Sequence, residues 1–350
     1  MYKIGVDVGG TFTDVVAVDD AGRVTLAKAP STPEDQSIGV MDGLSRLAER
    51  LDLDLPGLFA ETERIVHGAT VATNALLERK GGKVGLLTTE GHRDVLEMRE
   101  GLKPDRYNMR MPPTPPLIPR RRRLGVKERM RPDGRVEVAL DPASLDAAIQ
   151  TLKQDGVESV AICYLHAYKD PKHERASAEA VKAAMPGVYV TISADVLPQI
   201  KEFERVSTTA VNAYVGPAVG RYLASLETRL ADAGYTGPVL IILSHGGVAP
   251  IADTIRLAAG TVLSGPAGGV AGARRSAELL GAPDLIPFDM GGTSTDISLI
   301  SGGEAALSSD RGVAGERIAL PSLDIVSIGA GGGSIARVDA GGVLHVGPES

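Results

Sequence analysis

The sequence predicts an α/β fold, and three observations carry that expectation. Apolar runs of strand length open the chain in close succession, and strand-like and helix-like segments alternate after them. Two Asp-x-Gly-Gly-Thr turns, far apart, each sit between two such runs. Apolar residues fill 43% of the 350 positions while aromatic residues fill 3% and tryptophan is absent. The core must therefore be built from Val, Ile, Leu and Ala. Length alone suggests two or three domains.

Tyr2 to Val8, Thr11 to Val18 and Val24 to Lys28 read as strands, with a turn at Asp19-Asp20-Ala21-Gly22. A helix is expected next, with Thr32 as its cap, Pro33 at its first position and Glu34 and Asp35 in its first turn. Met41, Leu44, Leu47, Ala48 and Leu51 give it an apolar stripe at helical spacing. A strand near Arg64 to His67, a helix from Val71 to Arg79 and a strand from Val84 to Thr88 follow. Residues 101–135 break this rhythm. Six prolines between Pro104 and Pro119, with clustered Arg and Lys, predict a long loop or extended arm. Its Arg120 to Arg123 run reads as a solvated strand edge or interface salt-bridge donor, or else as an anion or partner site.

Asp141-Pro142 caps a helix reaching Gln154. The strand Ser159 to Leu165, the helix Pro171 to Ala184 and the strand Val188 to Ser193 complete a small α/β unit. A long helical stretch from Glu202 to Ala233 is expected to be interrupted at Gly216-Pro217. A second lobe is expected to open with the strand Val239 to Leu243. A helix near Gly265-Pro266, the strand Leu285 to Asp289 and the second Gly-Gly turn come next. The domain division predicted from this order is 1–195 and 196–350.

Several function classes are disfavoured. A net charge of −7 gives no reason to expect nucleic acid as a partner. The single Cys163 has no cysteine to pair with, fits a reducing cytoplasm, and lies in an apolar run as a core residue rather than a nucleophile. No leader pattern and no membrane span are expected. His92, His166, His173 and His345 do not fall at zinc-ligand spacing. A P-loop is absent. Gly329-Ala330-Gly331-Gly332-Gly333-Ser334 fails the dinucleotide fingerprint, because Ser334 stands at the last glycine position.

The duplicated turns carry the chemistry. They are Asp7-Val8-Gly9-Gly10-Thr11-Phe12-Thr13-Asp14 and Asp289-Met290-Gly291-Gly292-Thr293-Ser294-Thr295-Asp296. Each reads as strand, Gly-Gly turn, strand. Gly9, Gly10, Gly291 and Gly292 let the backbone approach an anion closely. Thr11, Thr13, Thr293 and Thr295 can donate to phosphate oxygens, although β propensity alone also explains threonine there. Asp7 and Asp289 stand where they could hold a hydrated Mg²⁺. Gly265-Pro266-Ala267-Gly268-Gly269 should open a helix, either as an anion site or for close packing. His67 ends a strand before a helix and reads either as a general base or as a structural hydrogen-bonder. His245 ends an apolar strand in the same manner.

The paired hairpins resemble the phosphate-binding hairpins of the actin, sugar-kinase and Hsp70 ATPase superfamily. Four further stretches narrow the likeness. They are His67 to Gly81, Arg205 to Tyr214, Leu263-Ser264-Gly265-Pro266-Ala267-Gly268-Gly269-Val270, and Ile328 to Ala336. With the hairpins, they are similar to the hydantoinase A/5-oxoprolinase family, which includes acetone and acetophenone carboxylase subunits. The resemblance runs from about residue 2 to residue 350. It implies ribonuclease-H-like lobes of the actin-like ATPase fold, with the second lobe incomplete. It also implies ATP and Mg²⁺ held between Asp7 and Asp289, with phosphorylation activating a cyclic amide or ketone. A hydantoinase B-like partner subunit or domain and an oligomeric assembly are implied as well. A non-catalytic nucleotide-binding fragment and, more weakly, a sugar kinase are the other readings. The departure from Asn at His245 puts a shared catalytic role for that residue in doubt.

Overall fold

The computed structural model describes residues 1–101, 105, 107–291 and 295–347. Strands β1 (Tyr2–Val8), β2 (Phe12–Val18) and β3 (Val24–Pro30) form an antiparallel meander. Alternate residues are buried: Ile4, Val6 and Val8, then Thr13, Val15 and Ala17, then Ala27 and Ala29. This is the period of a sheet sealed on one face. Helix α1 (Gln36–Arg50) seals it with Val40, Leu44, Leu47 and Ala48. Its cap is Asp35 and not Thr32, because the Asp35 carboxylate accepts from the Ser37 N–H at 3.0 Å. Thr32 instead accepts from the Gly39 N–H and donates to the Asp35 carbonyl, which holds Pro33 and Glu34 in a turn ahead of the helix. After the short α2 (Leu55–Ala60), β4 (Thr62–Ala69) runs parallel to β1 and leads into α3 (Val71–Leu77).

The chain then builds a second sheet. It begins with β5 (Val84–Thr89), α4 (Val95–Met98) and β6 (Arg123–Val126), after which β7 (Arg129–Met130) and β8 (Val136–Val138) pair with each other in a separate hairpin. Next come α5 (Pro142–Gln154), β9 (Ser159–Cys163), α6 (Lys172–Ala184), β10 (Tyr189–Ile192) and α7 (Ser193–Val196). Its order is β10-β9-β5-β6, and every pairing is parallel. All residues of β5 and β9 are buried, as strands covered on both faces must be. The expected arm is irregular only through residues 107–119. From Arg120 onward it is tied down, since β6 is an edge strand of this sheet. Arg120 meets Asp94 with two bonds of 3.0 Å, and Arg122 meets Asp155 at 3.5 Å. The fully buried Arg123 pairs with Glu97 and with Asp94. Arg122 and Arg123 are thus held within the molecule, while Arg120, paired at the surface, and Arg121 stay exposed.

Helix α8 (Glu202–Asp232) is continuous, without the expected interruption. Pro217 removes the N–H that would reach the Ala213 carbonyl, and at the next carbonyl the neighbouring loop docks on the helix, the Gly82 N–H donating to Tyr214 at 2.8 Å. Gly216 is bare because the Tyr189 ring lies against it, and a Cβ there would stand 2.4 Å from that ring. The helix packs against elements of both sheets. After it, β11 (Val239–Ile242) pairs in parallel with β4, and β12 (Val248–Pro250) pairs antiparallel with β11. The strand expected to open a second lobe therefore completes the first sheet, whose order is β12-β11-β4-β1-β2-β3. An antiparallel meander joined by two parallel strands is the ribonuclease-H-like arrangement of actin-like ATPases.

Helices α9 (Ile251–Arg256) and α10 (Ser264–Leu280) lead to β13 (Phe288–Met290) and β14 (Thr295–Ser298). With the strand Ile325–Ile328 they form a second meander. Its register places Asp289 opposite Asp296, as the first places Asp7 opposite Asp14. The duplication seen in sequence is thus a duplication of local structure.

One buried polar cluster fastens α8 to the second sheet. Arg205, fully buried, donates to the Tyr164 carbonyl at 2.8 Å and to Ser193 Oγ at 2.7 Å. Its Nη1 lies 3.9 Å from Glu174, which accepts from the Tyr164 and Ala194 N–H groups. Removing one partner of such a pair leaves the other charge buried and uncompensated. Arg205→Met is expected to lower unfolding free energy by about 3–5 kcal/mol in a denaturant titration. A loss under about 1 kcal/mol would contradict this anchoring role.

Candidate functional site

The first hairpin sets the site through its register. Asp7 lies on the face that α1 does not cover, opposite Asp14 and beside Gly68 of β4. Gly68 carries no side chain where a Cβ would come within 3.3 Å of Asp7 Oδ1. From the other side come the first turns of α10 and the second hairpin. Asp7, Asp14, Gly68, Gly265, Gly268, Gly269 and Asp289 together line a cleft of about 670 Å³. Burial pushes the Asp7 carboxyl above its usual pKa, and the negative charges of Asp14 and Asp289 push it further. Asp289 is near enough for its charge to reach Asp7, and the two leading aspartates line the same cleft.

Asp14 and Asp296 escaped the sequence reading, although both close the repeated motif. The signal was available: an antiparallel hairpin with this turn places its first and last aspartates opposite one another. Lys28 pairs with Asp14 at 3.1 Å, and Asp296 accepts from the Ser327 hydroxyl. Gly10 and Thr11 are exposed at the tip of the first turn. The sterically tight glycine there is Gly9, whose N–H donates to the Phe12 carbonyl at 3.0 Å and where a Cβ would lie 3.2 Å from that oxygen. A Cβ at Gly10 would meet nothing within 4 Å, so a need for close approach to protein does not explain that residue.

Thr13 and Thr295 do not enter the cleft. Both are fully buried, because the parity that turns Asp14 and Asp296 outward turns these threonines inward. The Thr13 hydroxyl lies 3.3 Å from Ser31 Oγ, which donates to the Gly9 carbonyl at 2.7 Å. Thr295 donates to the Ala330 carbonyl at 2.6 Å. Both therefore brace their turns from behind. At the second turn, the Gly291 carbonyl accepts the Gly332 N–H at 2.9 Å, so the glycine-rich segment after Ile328 docks on the hairpin. Gly292 and Thr293 lie outside the described residues.

His67 also faces away from the cleft. It is paired in register with Val6, so its ring points to the core side, where it is fully buried. Its Nε2 stands 2.6 Å from the Tyr222 hydroxyl of α8, and burial pushes its pKa down to about 4. It is a structural hydrogen-bonder and not a base beside Asp7. His245 Nδ1 accepts the Gly247 N–H within its own turn. Burial raises the Cys163 thiol to about 12, which leaves it inert as a nucleophile.

Residues 3–185 match the hydantoinase/oxoprolinase N-terminal region, and residues 205–350 match the hydantoinase/oxoprolinase domain that follows it. The chain belongs to the hydantoinase/oxoprolinase family. It is 40% identical to the caprolactamase subunit alpha of Pseudomonas jessenii, over 100% of this chain and 50% of that one. It is 33% identical to the acetophenone carboxylase gamma subunit of Aromatoleum aromaticum, over 99% of this chain and 49% of that one. The crystal structure of the ATP-dependent caprolactamase from Pseudomonas jessenii superposes with a TM-score of 0.90 at 40% identity, over 100% of this chain and 51% of that one. The nucleotide-free structure of acetone carboxylase gives 0.86 at 30% identity, with the same coverage. The chain spans about half the length of these relatives.

In this hydantoinase/oxoprolinase chain, the buried His67 has a pH consequence. Its folded pKa of about 4 lies below the ordinary value of 6.5, so the unfolded state binds the extra proton first. The stability contribution is complete above about pH 6.5 and is lost as pH falls toward 4. At pH 5 the loss is about 2 kcal/mol. Thermal melts of wild type and His67→Gln between pH 8 and pH 5 should show the wild type losing stability faster. Parallel curves would refute the assignment.

Proposed function

We propose that this chain is the ATP-handling subunit of an enzyme that hydrolyses a cyclic amide of hydantoin or 5-oxoproline type. The observation that carries the reading is that Asp7 and Asp289, the leading residues of duplicated hairpins, line one cleft. The identity to a caprolactamase subunit, at 40%, favours ring-amide chemistry. ATP-dependent carboxylation of a ketone is the second reading, supported by the carboxylase relatives at 32–33% identity.

A ring amide resists water because its nitrogen lone pair is delocalised into the carbonyl. Transfer of the γ-phosphoryl group to the carbonyl oxygen breaks the P–O bond to ADP and makes the carbon open to water. Water adds to that carbon and the ring C–N bond breaks, the nitrogen taking a proton; a second water then cleaves the resulting acyl phosphate to carboxylate and inorganic phosphate. The chain's part is positioning and charge. The exposed Gly10 and Thr11, at the tip of the first turn, offer backbone amides and a hydroxyl to phosphate oxygens. Gly265 and Gly268, in the first turn of α10, line the same cleft and add the positive end of a helix.

The donor set fits Mg²⁺ of the kind held mostly by water and phosphate. Among the described residues no group of three or more His, Cys, Asp or Glu side chains forms a cage. The raised Asp7 carboxyl marks a concentration of negative charge that a divalent cation neutralises. Asp7 and Asp289 would hold the ion, which supplies charge neutralisation on the phosphates. A hydantoinase B-like subunit or domain completes the enzyme in this reading, which places it in a reducing cytoplasm as an oligomer. No helix among the described residues is long and apolar enough to cross a membrane.

Substitution at Asp7 separates this role from a structural one. Asp7→Asn relieves repulsion from Asp14 and Asp289, so the variant is expected to melt no earlier than wild type and to gain up to ~1 kcal/mol. In the enzyme containing this chain, ATP-dependent ring opening should fall by about a hundredfold or more, as should the effect of Asp289→Asn. Turnover within about twofold of wild type in both variants would sink the proposal.

A further inference from the structure

The strand order of the second sheet reverses at β5. The chain leaves β5 toward β6, returns across it to β9 and goes on to β10, with all four strands parallel. The loops after β5 and β9 therefore part in opposite directions and leave a crevice at the carboxyl ends of the strands. Open parallel sheets bind ligands at such a point. Each of the two loops brings a histidine there. His92 is the third residue after Thr89, which ends β5, and His166 is the third after Cys163, which ends β9. They are near enough for the charge of one to reach the other. Arg129 of β7 joins them, its Nη1 3.1 Å from His92 Nε2.

Cations collect here without a counterion. Arg129 is partly buried, and among the described residues it makes no ion pair. Its guanidinium, which can only donate, is left to a neutral imidazole nitrogen. An arginine withdrawn from water is ordinarily paired with a carboxylate. The carboxylates nearby are taken by other groups. Glu128 accepts from the Thr89 hydroxyl and stands 2.8 Å from His173 Nδ1, while Glu174 and Glu202 face the buried Arg205. His166 Nδ1 lies 3.3 Å from the Tyr168 hydroxyl. Its backbone is left-handed, φ 58°, a conformation costly to a residue other than glycine. Lys169 stands 5.8 Å over the Tyr168 ring and pairs with no carboxylate among the described residues. Glu90, exposed in the loop after β5, opposes an anion.

We infer that this crevice binds a small tetrahedral oxyanion of phosphate type, held by Arg129, His92 and His166. The three come from different segments of the chain, so their donors suit an ion with oxygens on every side better than a flat carboxylate. With the anion in place, the Arg129 N–H groups turn from His92 to its oxygens, and both imidazoles donate. Burial, Arg129 and His166 hold the pKa of His92 below its ordinary value, against the opposite pull of Glu202 and Glu128. A bound dianion favours the protonated ring and raises that pKa. Binding therefore takes up a proton and tightens as pH falls. None of these residues lines the Asp7 cleft.

The test is proton NMR of the imidazole rings of the 350-residue chain during titration with sulfate, whose charge does not change near neutral pH. Two of the six histidine signals should move saturably, and their loss in His92→Gln and His166→Gln assigns them. The buried His67 and His173 should not respond. The His92 signal should titrate at higher pH with sulfate present, and affinity should rise from pH 8 to pH 6. Arg129→Gln should weaken sulfate about tenfold or more, Arg129→Lys less, and Glu90→Gln should tighten it. Acetate should bind at least about tenfold more weakly than sulfate. Inorganic phosphate and methyl phosphate should displace sulfate, and the stronger competitor tells a free ion from a phosphate ester. Circular dichroism of each variant establishes that it is folded. His92 and His166 signals unmoved by sulfate, or an affinity unchanged in Arg129→Gln, would overturn the inference. So would acetate binding as tightly as sulfate, or failure of both phosphates to compete.

Discussion

The parallel pairing of β1 with β4 is the constraint on which the rest depends. Val6 lies beside His67 and Asp7 beside Gly68, so one register decides two environments at once. Val6 and His67 go inward, under α1 and α8, where the imidazole can persist only as the neutral form bonded to Tyr222. Asp7 goes outward, next to a residue with no side chain, and is left facing two other carboxylates. A one-residue slip of β1 would bury Asp7, and one of β4 would expose His67. The apolar alternation of β2 and β3 and the long buried face of α8 keep either slip from happening.

The cleft carries the strain that such placement implies. A carboxyl pushed upward by burial and by like charges is costly to the fold, and among the described residues no cation pairs with Asp7. Lys28 pairs with Asp14 instead. The fold tolerates this because the supporting shell is rigid. Ser31, Thr13 and the Gly9 carbonyl form a short hydrogen-bonded chain behind the first turn. Thr295 and the segment around Gly332 do the same for the second. Rigidity is thus placed behind the turns, and charge in front of them.

Much of this was legible in the sequence, and the failures have physical causes. The meander, the alternation after it and both hairpins follow from periodicity and Gly-Gly turns. Residue type alone offers Thr13 and Thr295 to phosphate, whereas the register that turns Asp14 and Asp296 outward turns these two threonines into the core. Thr11 precedes β2, inside the turn, where the strand period does not apply. Thr32 lost the cap to Asp35, the stronger capping residue of two that lie three apart. Gly216-Pro217 did not break α8, since Gly82 and Tyr189 supply contacts that no local pattern encodes. The strand Val239–Ile242 could not be assigned to the first sheet from sequence, because its partner β4 is far away along the chain. Asp14 and Asp296 needed only the register of a hairpin, and were legible.

The lone thiol has a practical consequence for watching this molecule move. Cys163 is sealed in β9 and its thiol is raised to about 12, so it stays silent toward maleimides and other thiol-directed reagents. Any cysteine introduced on the surface becomes the single reactive handle, with no native residue to remove beforehand. The absence of tryptophan leaves the emission region to the red of its eight tyrosines equally empty. A dye attached at one hairpin tip and a tryptophan placed at the other would report the gap between them against a dark background.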